Sequence, residues 1–143
     1  NAYRCAADAY EAAGFPADFR PAPWMREALD KISHRPYGTG FYYGMPVQNT
    51  RFGGYVRDYE VAAVAEGYEN GRLLLSQRNH FRRGEVLDVL EPGRPPFLLP
   101  VTELYDGAGE PVEAAPHPLM RLQVPYPRPL VVGSYLRRRT QAG

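Results

Sequence analysis

The 143-residue chain has one cysteine, Cys5, and one lysine, Lys31. A lone cysteine excludes an internal disulfide and cannot build a cysteine-rich zinc site. This fits a reducing compartment, and a cytoplasmic location is expected. No run of about 18 apolar residues exists, so no membrane span is expected. The alanine-rich, partly acidic segment after Asn1 does not read as a signal peptide. The chain lacks a starting methionine and reads as a piece of something longer. Acids are missing from residues 33–54 and from 119–143, whereas residues 55–118 hold eleven acids against six bases. An acidic body with a basic tail is not the profile of a dedicated nucleic-acid binder, although it can supply one basic edge.

Catalytic signatures are also scarce. Gly38-Thr39-Gly40 is too short for a phosphate loop, has no following lysine and opens no helix. The histidines His34, His80 and His117 have no ligand-like spacing, so no metal and no cofactor are expected in this chain. Ser33 and His34 are neighbours, and neighbouring side chains point apart. A nucleophile and its base must meet side chain to side chain, so a connector role outweighs a catalytic one. Asp58/Glu60 and Glu110/Glu113 read as solvated faces rather than an acid/base pair. Cys5 reads as a half-buried packing residue.

What is present is a pattern. Residues 2–13 have helical spacing and stop at Gly14. Pro23 opens a second helix through Ser33, with Met25, Ala28, Leu29 and Ile32 as its apolar stripe. Residues 34–54 form a glycine- and aromatic-rich connector. Short strands follow: 55–65, 73–77, 85–90, 97–105, 120–124 and 130–136. Asn70-Gly71 marks a hairpin, because that turn needs positive φ at both central residues. Strands at this spacing predict a mainly β fold, a small closed or nearly closed antiparallel barrel preceded by two short helices. The expected units are a helical segment 1–33, a connector 34–54, a barrel 55–139 and a tail 140–143. From Arg137 the chain reads as frayed.

Two clusters are candidate binding residues. One is the connector, with His34, Arg35, Tyr37, Phe41, Tyr42 and Tyr43. The other is Arg78, Phe81, Arg82 and Arg83, since arginine with aromatics can hold RNA by phosphate pairing and stacking. The plainer reading makes Phe81 core and sets the arginines against nearby acids.

Several stretches in order, AYRCAADAY, SHRPYGTGFYYG, YVRDYEV, QRNHFRRGEVLDVLEPG and VTELYDGAGEPVEAAPHP, resemble the C-terminal part of the U32 peptidases, the collagenase-like proteases. The resemblance implies a small barrel similar to the second domain of translation elongation factors. It also implies catalytic machinery upstream, in a cysteine-bearing domain, so no catalytic residue is carried over. Some members of the family resemble RNA-hydroxylating enzymes. The expected role is therefore a non-catalytic accessory module that recognises RNA or protein substrate or docks on the catalytic domain. The rival expectation is a fragment with peptidase activity of its own, using His34. A third is pure capping of the large domain, with Tyr3, Tyr10, Trp24 and Met25 exposed as a contact surface.

Overall fold

The computed structural model describes residues 1–32, 42–44 and 58–140. Helix α1 spans Ala2–Ala12 and α2 spans Pro23–Asp30. Pro23 sits in the first turn of α2, where its missing N–H loses no hydrogen bond. Helices this short are marginal in isolation. These two pack on each other, burying Ala2, Met25 and Ala28, with Cys5 and Leu29 half-buried against them.

Seven strands follow: β1 Tyr59–Glu69, β2 Arg72–Gln77, β3 Val86–Leu90, β4 Phe97–Pro100, β5 Tyr105–Asp106, β6 Arg121–Pro125 and β7 Tyr135–Arg139. They form one antiparallel sheet in the order β4-β3-β7-β1-β2-β6-β5. Alternation decides which way the sheet curls. Leu73 and Leu75, Leu87 and Val89, Leu122 and Val124 are buried together with Phe81 and Leu136 in one core. The sheet curls around them as a half-barrel. Its edge strands, β4 and β5, share no ladder, but they are consecutive pieces of one stretch of chain. Val101 and Leu104 between them are fully buried in the core. The expected mainly β antiparallel fold after two short helices is observed, in the form of this curled half-barrel.

The β1–β2 hairpin turns on Asn70 and Gly71, with φ of 50° and 78° as that turn requires. A bulge between Ala65 and Gly67 shifts the register of β1 and puts Glu66 outside.

Some expectations are corrected. The first strand runs on past Ala65, because pairing with β2 continues through Glu69, and the expected start at 55–57 lies outside the described residues. The stretch 97–105 is not one strand. After Pro100 the Val101 N–H turns to the Glu85 carbonyl, at 2.8 Å, and the chain crosses to the opposite edge. The last strand begins at Tyr135, not Leu130, because residues 131–134 form a turn in which Ser134 N–H and Oγ both donate to the Val131 carbonyl. Residues 137–139 are not frayed, and residues 141–143 lie outside the described residues. Arg137, Arg138 and Arg139 complete β7, paired in register with Val61, Glu60 and Tyr59 of β1. The second helix ends at Asp30, and Ile32, at the end of its expected stripe, is exposed.

Candidate functional site

Asp88 lies between Leu87 and Val89, so it faces away from the core, yet it is buried. The cover is α2. Trp24, Ala28 and Lys31 line a cleft with Asp88, Phe97 and Leu98, which places α2 across the outer face of β3 and β4. Arg137, the register partner of Asp88, donates to its Oδ2 at 2.7 Å, and Lys31 Nζ reaches the same oxygen at 3.2 Å. Both cations lie over the Tyr59 ring, 5.1 and 5.9 Å from its centroid. This buried cluster ties α2 to three strands.

A second polar clasp holds α1. Asn1 Nδ2 donates to the carbonyls of Glu91 and Arg94, at 3.0 and 3.1 Å, while the Gly93 N–H donates to Asn1 Oδ1 at 3.0 Å. The turn it grips is fixed from within by Glu91, which is almost fully buried. Arg128 donates to both Glu91 oxygens, at 3.4 and 3.1 Å, and the Val131 N–H donates to Oε1 at 2.9 Å. Arg94 adds an ion pair at 3.3 Å.

Burial pushes the Glu91 carboxyl up, but the Arg128 and Val131 hydrogen bonds and the two guanidinium charges outweigh it. They hold its pKa below the ordinary carboxylate value. A depressed folded pKa means that the unfolded chain binds the proton more tightly. The resulting stabilisation is complete above the unfolded value and is lost as pH falls through the folded one. Glu91→Gln is expected to flatten the acid limb of the stability curve below about pH 5, measured by urea unfolding at a series of pH values. An unchanged limb would assign the acid sensitivity to other carboxylates.

The Arg78, Phe81, Arg82 and Arg83 candidates fall on the segment joining β2 to β3, and the structure separates their roles. Phe81 is fully buried in the barrel core and offers no ring face to a ligand. The three arginines are exposed. Phe81 anchors the segment, and backbone bonds rivet it on both sides. Ala115 N–H donates to the Phe81 carbonyl at 3.0 Å, Arg83 N–H to the Glu113 carbonyl at 3.0 Å, and Gly84 N–H to the Val101 carbonyl at 2.7 Å. Gly84 has φ 89°, a conformation that side-chain-bearing residues rarely take, and it lets the chain turn into β3.

The same end of the barrel carries the start of β1 and the finish of β7. Thr140 N–H donates to the Asp58 carbonyl at 2.8 Å. Arg138 bonds Glu60 at 2.6 Å and Glu85 at 3.3 Å. Arg83 pairs with Glu113 at 2.9 Å. Arg78 donates to Ser76 Oγ and the Gln77 carbonyl rather than to an acid. The result is a rim on which Arg78, Arg82 and Arg139 have no acidic partner among the described residues. Asp58 is the rim carboxylate that also has none there.

Ser33, His34, Arg35, Tyr37 and Phe41 lie outside the described residues. Tyr42 and Tyr43 are almost fully exposed. His80 is half-buried on the rim and His117 is exposed in a turn. Among the described residues, no group of three His, Cys, Asp or Glu could hold a metal ion. No described helix is long and apolar enough to cross a membrane. Cys5 is half-buried, and its Sγ donates to Asn1 Oδ1 at 3.3 Å. A cleft of about 330 Å³ on the outside of the sheet sets Glu66 and Arg121 around Leu74, without an ion pair between them. The contact-surface residues divide. Tyr3 and Tyr10 are exposed, Phe15 joins them, Trp24 is half-buried and Met25 is buried between the helices.

The described residues thus form a half-barrel with a helical pair clasped to it and arginines at one rim. The family model of the peptidase family U32 C-terminal domain matches residues 57–137, and the chain belongs to this family. It is 26% identical over 143 residues to the tRNA hydroxylation protein P1 of Bacillus subtilis (strain 168), a match covering 96% of this chain and 33% of that protein. The chain thus spans about a third of the length of that curated relative. Two crystal structures of the C-terminal domain of a Geobacillus thermoleovorans U32-family protein are similar. One, a selenomethionine variant, is 31% identical with a TM-score of 0.52 and covers 55% of this chain and 99% of that one. The other is 30% identical with a TM-score of 0.50, covering 57% and 93%. The helices, residues 2–30, lie outside the family match.

Proposed function

We propose that the chain is a non-catalytic accessory module of a longer U32-family protein. Its helices pack against the domain that does the chemistry, and its barrel engages the substrate. One observation carries this reading. The helical pair is clasped to the barrel through Asn1 and Lys31, yet its other side leaves Tyr3 76% and Phe15 61% exposed. Large apolar side chains on an ordered face that no other described element covers mark a contact surface. The length of the Bacillus relative beyond the matched part leaves room for the partner domain. That relative's name, tRNA hydroxylation protein, favours RNA over protein as the substrate.

A photo-crosslinking amino acid at position 3 of the longer polypeptide tests the docking. The expected product joins position 3 to the part of the polypeptide preceding this chain. Crosslinks only between separate copies, or none, would overturn the reading. The isolated 143-residue chain is expected to cleave no peptide. Cleavage that His34→Ala abolishes would make it a peptidase instead.

A further inference from the structure

We propose that the rim formed by Arg78, Arg82 and Arg139 holds the sugar–phosphate backbone of RNA. This rests on the accessory-module reading and names the ligand of that module. The three guanidiniums are exposed and have no carboxylate partner among the described residues, whereas their neighbours Arg83 and Arg138 are already paired. Asp58, Glu60, Glu85 and Glu113 offset four of the five arginine charges on the rim, so it keeps a net positive charge of one, and the unpaired guanidiniums are exposed.

A planar guanidinium fork matches two phosphate oxygens, and such charge-assisted pairs are stronger than neutral ones. The mounting is also rigid. Arg78 and Arg82 ride on a segment anchored by the buried Phe81, and Arg139 rides on β7, so little order has to be imposed on binding. With Phe81 buried and the Tyr59 ring taken by Lys31 and Arg137, the described rim has no free aromatic face for a base. Contact with phosphate rather than with bases makes the binding tolerant of sequence.

The test is fluorescence anisotropy of labelled, unmodified transfer RNA with the 143-residue chain. If three phosphates are engaged, raising salt from about 50 to 200 mM weakens binding roughly twenty- to forty-fold. The variant Arg78→Ala/Arg82→Ala/Arg139→Ala is expected to bind at least about ten-fold more weakly at low salt, with most of the salt dependence gone. Its thermal melt checks the fold, and Arg82→Glu alone, at a side chain without an ion pair, serves if the triple variant unfolds. Arg20→Ala/Arg26→Ala, two exposed arginines on the helical part, is expected to bind as the parent does.

Three results would overturn the proposal: no RNA binding at low salt, an equal loss in the helical control, or equally tight, arginine-dependent binding of poly-glutamate, which would point to an acidic protein partner. Failure here with the position-3 crosslink intact would leave the docking reading standing. RNA binding without that crosslink would remove the docking reading alone.

Discussion

Asp88→Ala lowers the stability of the chain by about 3–5 kcal/mol. Asp88 and Arg137 are both nearly inaccessible and meet at 2.7 Å. Removing the carboxylate strands the Arg137 guanidinium in a buried place, where its Nε already has no partner among the described residues. Lys31 is less affected, because it is partly exposed and can turn to water. Replacing both members with apolar residues, as in Asp88→Leu/Arg137→Met, is expected to cost less than the single change, since no buried charge is then left alone. Urea unfolding of the two variants makes the comparison. A single variant as stable as the parent would mean that the pair is not buried in solution. Because Lys31 joins the cluster, Asp88→Ala should also loosen α2 from the sheet.

Phe81→Ala is the second large effect, with an expected loss of about 3–5 kcal/mol. The ring is fully enclosed among barrel residues, so its removal loses apolar burial and leaves a cavity. Phe81→Leu fills part of that space and should cost a smaller share. The outcome separates two roles for this ring. A core anchor loses stability on truncation. A stacking residue would lose RNA binding with the unfolding midpoint unchanged. Since Phe81 holds the segment carrying Arg78, Arg82 and Arg83, the alanine variant should weaken RNA binding only as far as the segment loosens.

Much of the barrel was legible because its core strands alternate. Leu73 and Leu75, and Leu122 and Val124, announce a strand and its inward face without knowledge of the partner. The Asn70-Gly71 hairpin was equally local, set by backbone conformation alone. The errors occur where the deciding partner is distant in sequence. Val131 and Val132 are β-branched and apolar, which suggests a strand, but they sit in an exposed turn. Arg137, Arg138 and Arg139 suggest a solvated tail, but Asp88, Glu60 and Glu85 wait for two of them on β3, β1 and the segment before β3. One local sign was available: an aspartate inside the apolar run Val86-Leu87-Asp88-Val89-Leu90 needs a cation or a cover, and it has both.

The candidate rim was half legible. Arginines around a phenylalanine suggested binding, and the same spacing equally allowed the ring to be core. Only the fold shows that Phe81 turns inward while the arginines turn out, and that Arg139 belongs to the same end. The two clasps, Asn1 on the Glu91–Arg94 turn and Lys31 on Asp88, join residues more than fifty positions apart, and no sequence period could reveal them.

Hydrogen exchange across α1 tests the proposed docking most directly, measured in the 143-residue chain and in the longer U32-family polypeptide proposed to contain it. In the chain alone, α1 is short and buries only Ala2 deeply, so its amides should open easily. Docking of the Tyr3 and Phe15 face should slow their exchange by at least about ten-fold in the longer polypeptide, equivalent to about 1.4 kcal/mol of added local stability. Barrel amides at Leu73, Leu75 and Leu136 should exchange alike in both. Identical α1 exchange in the two proteins would contradict the account.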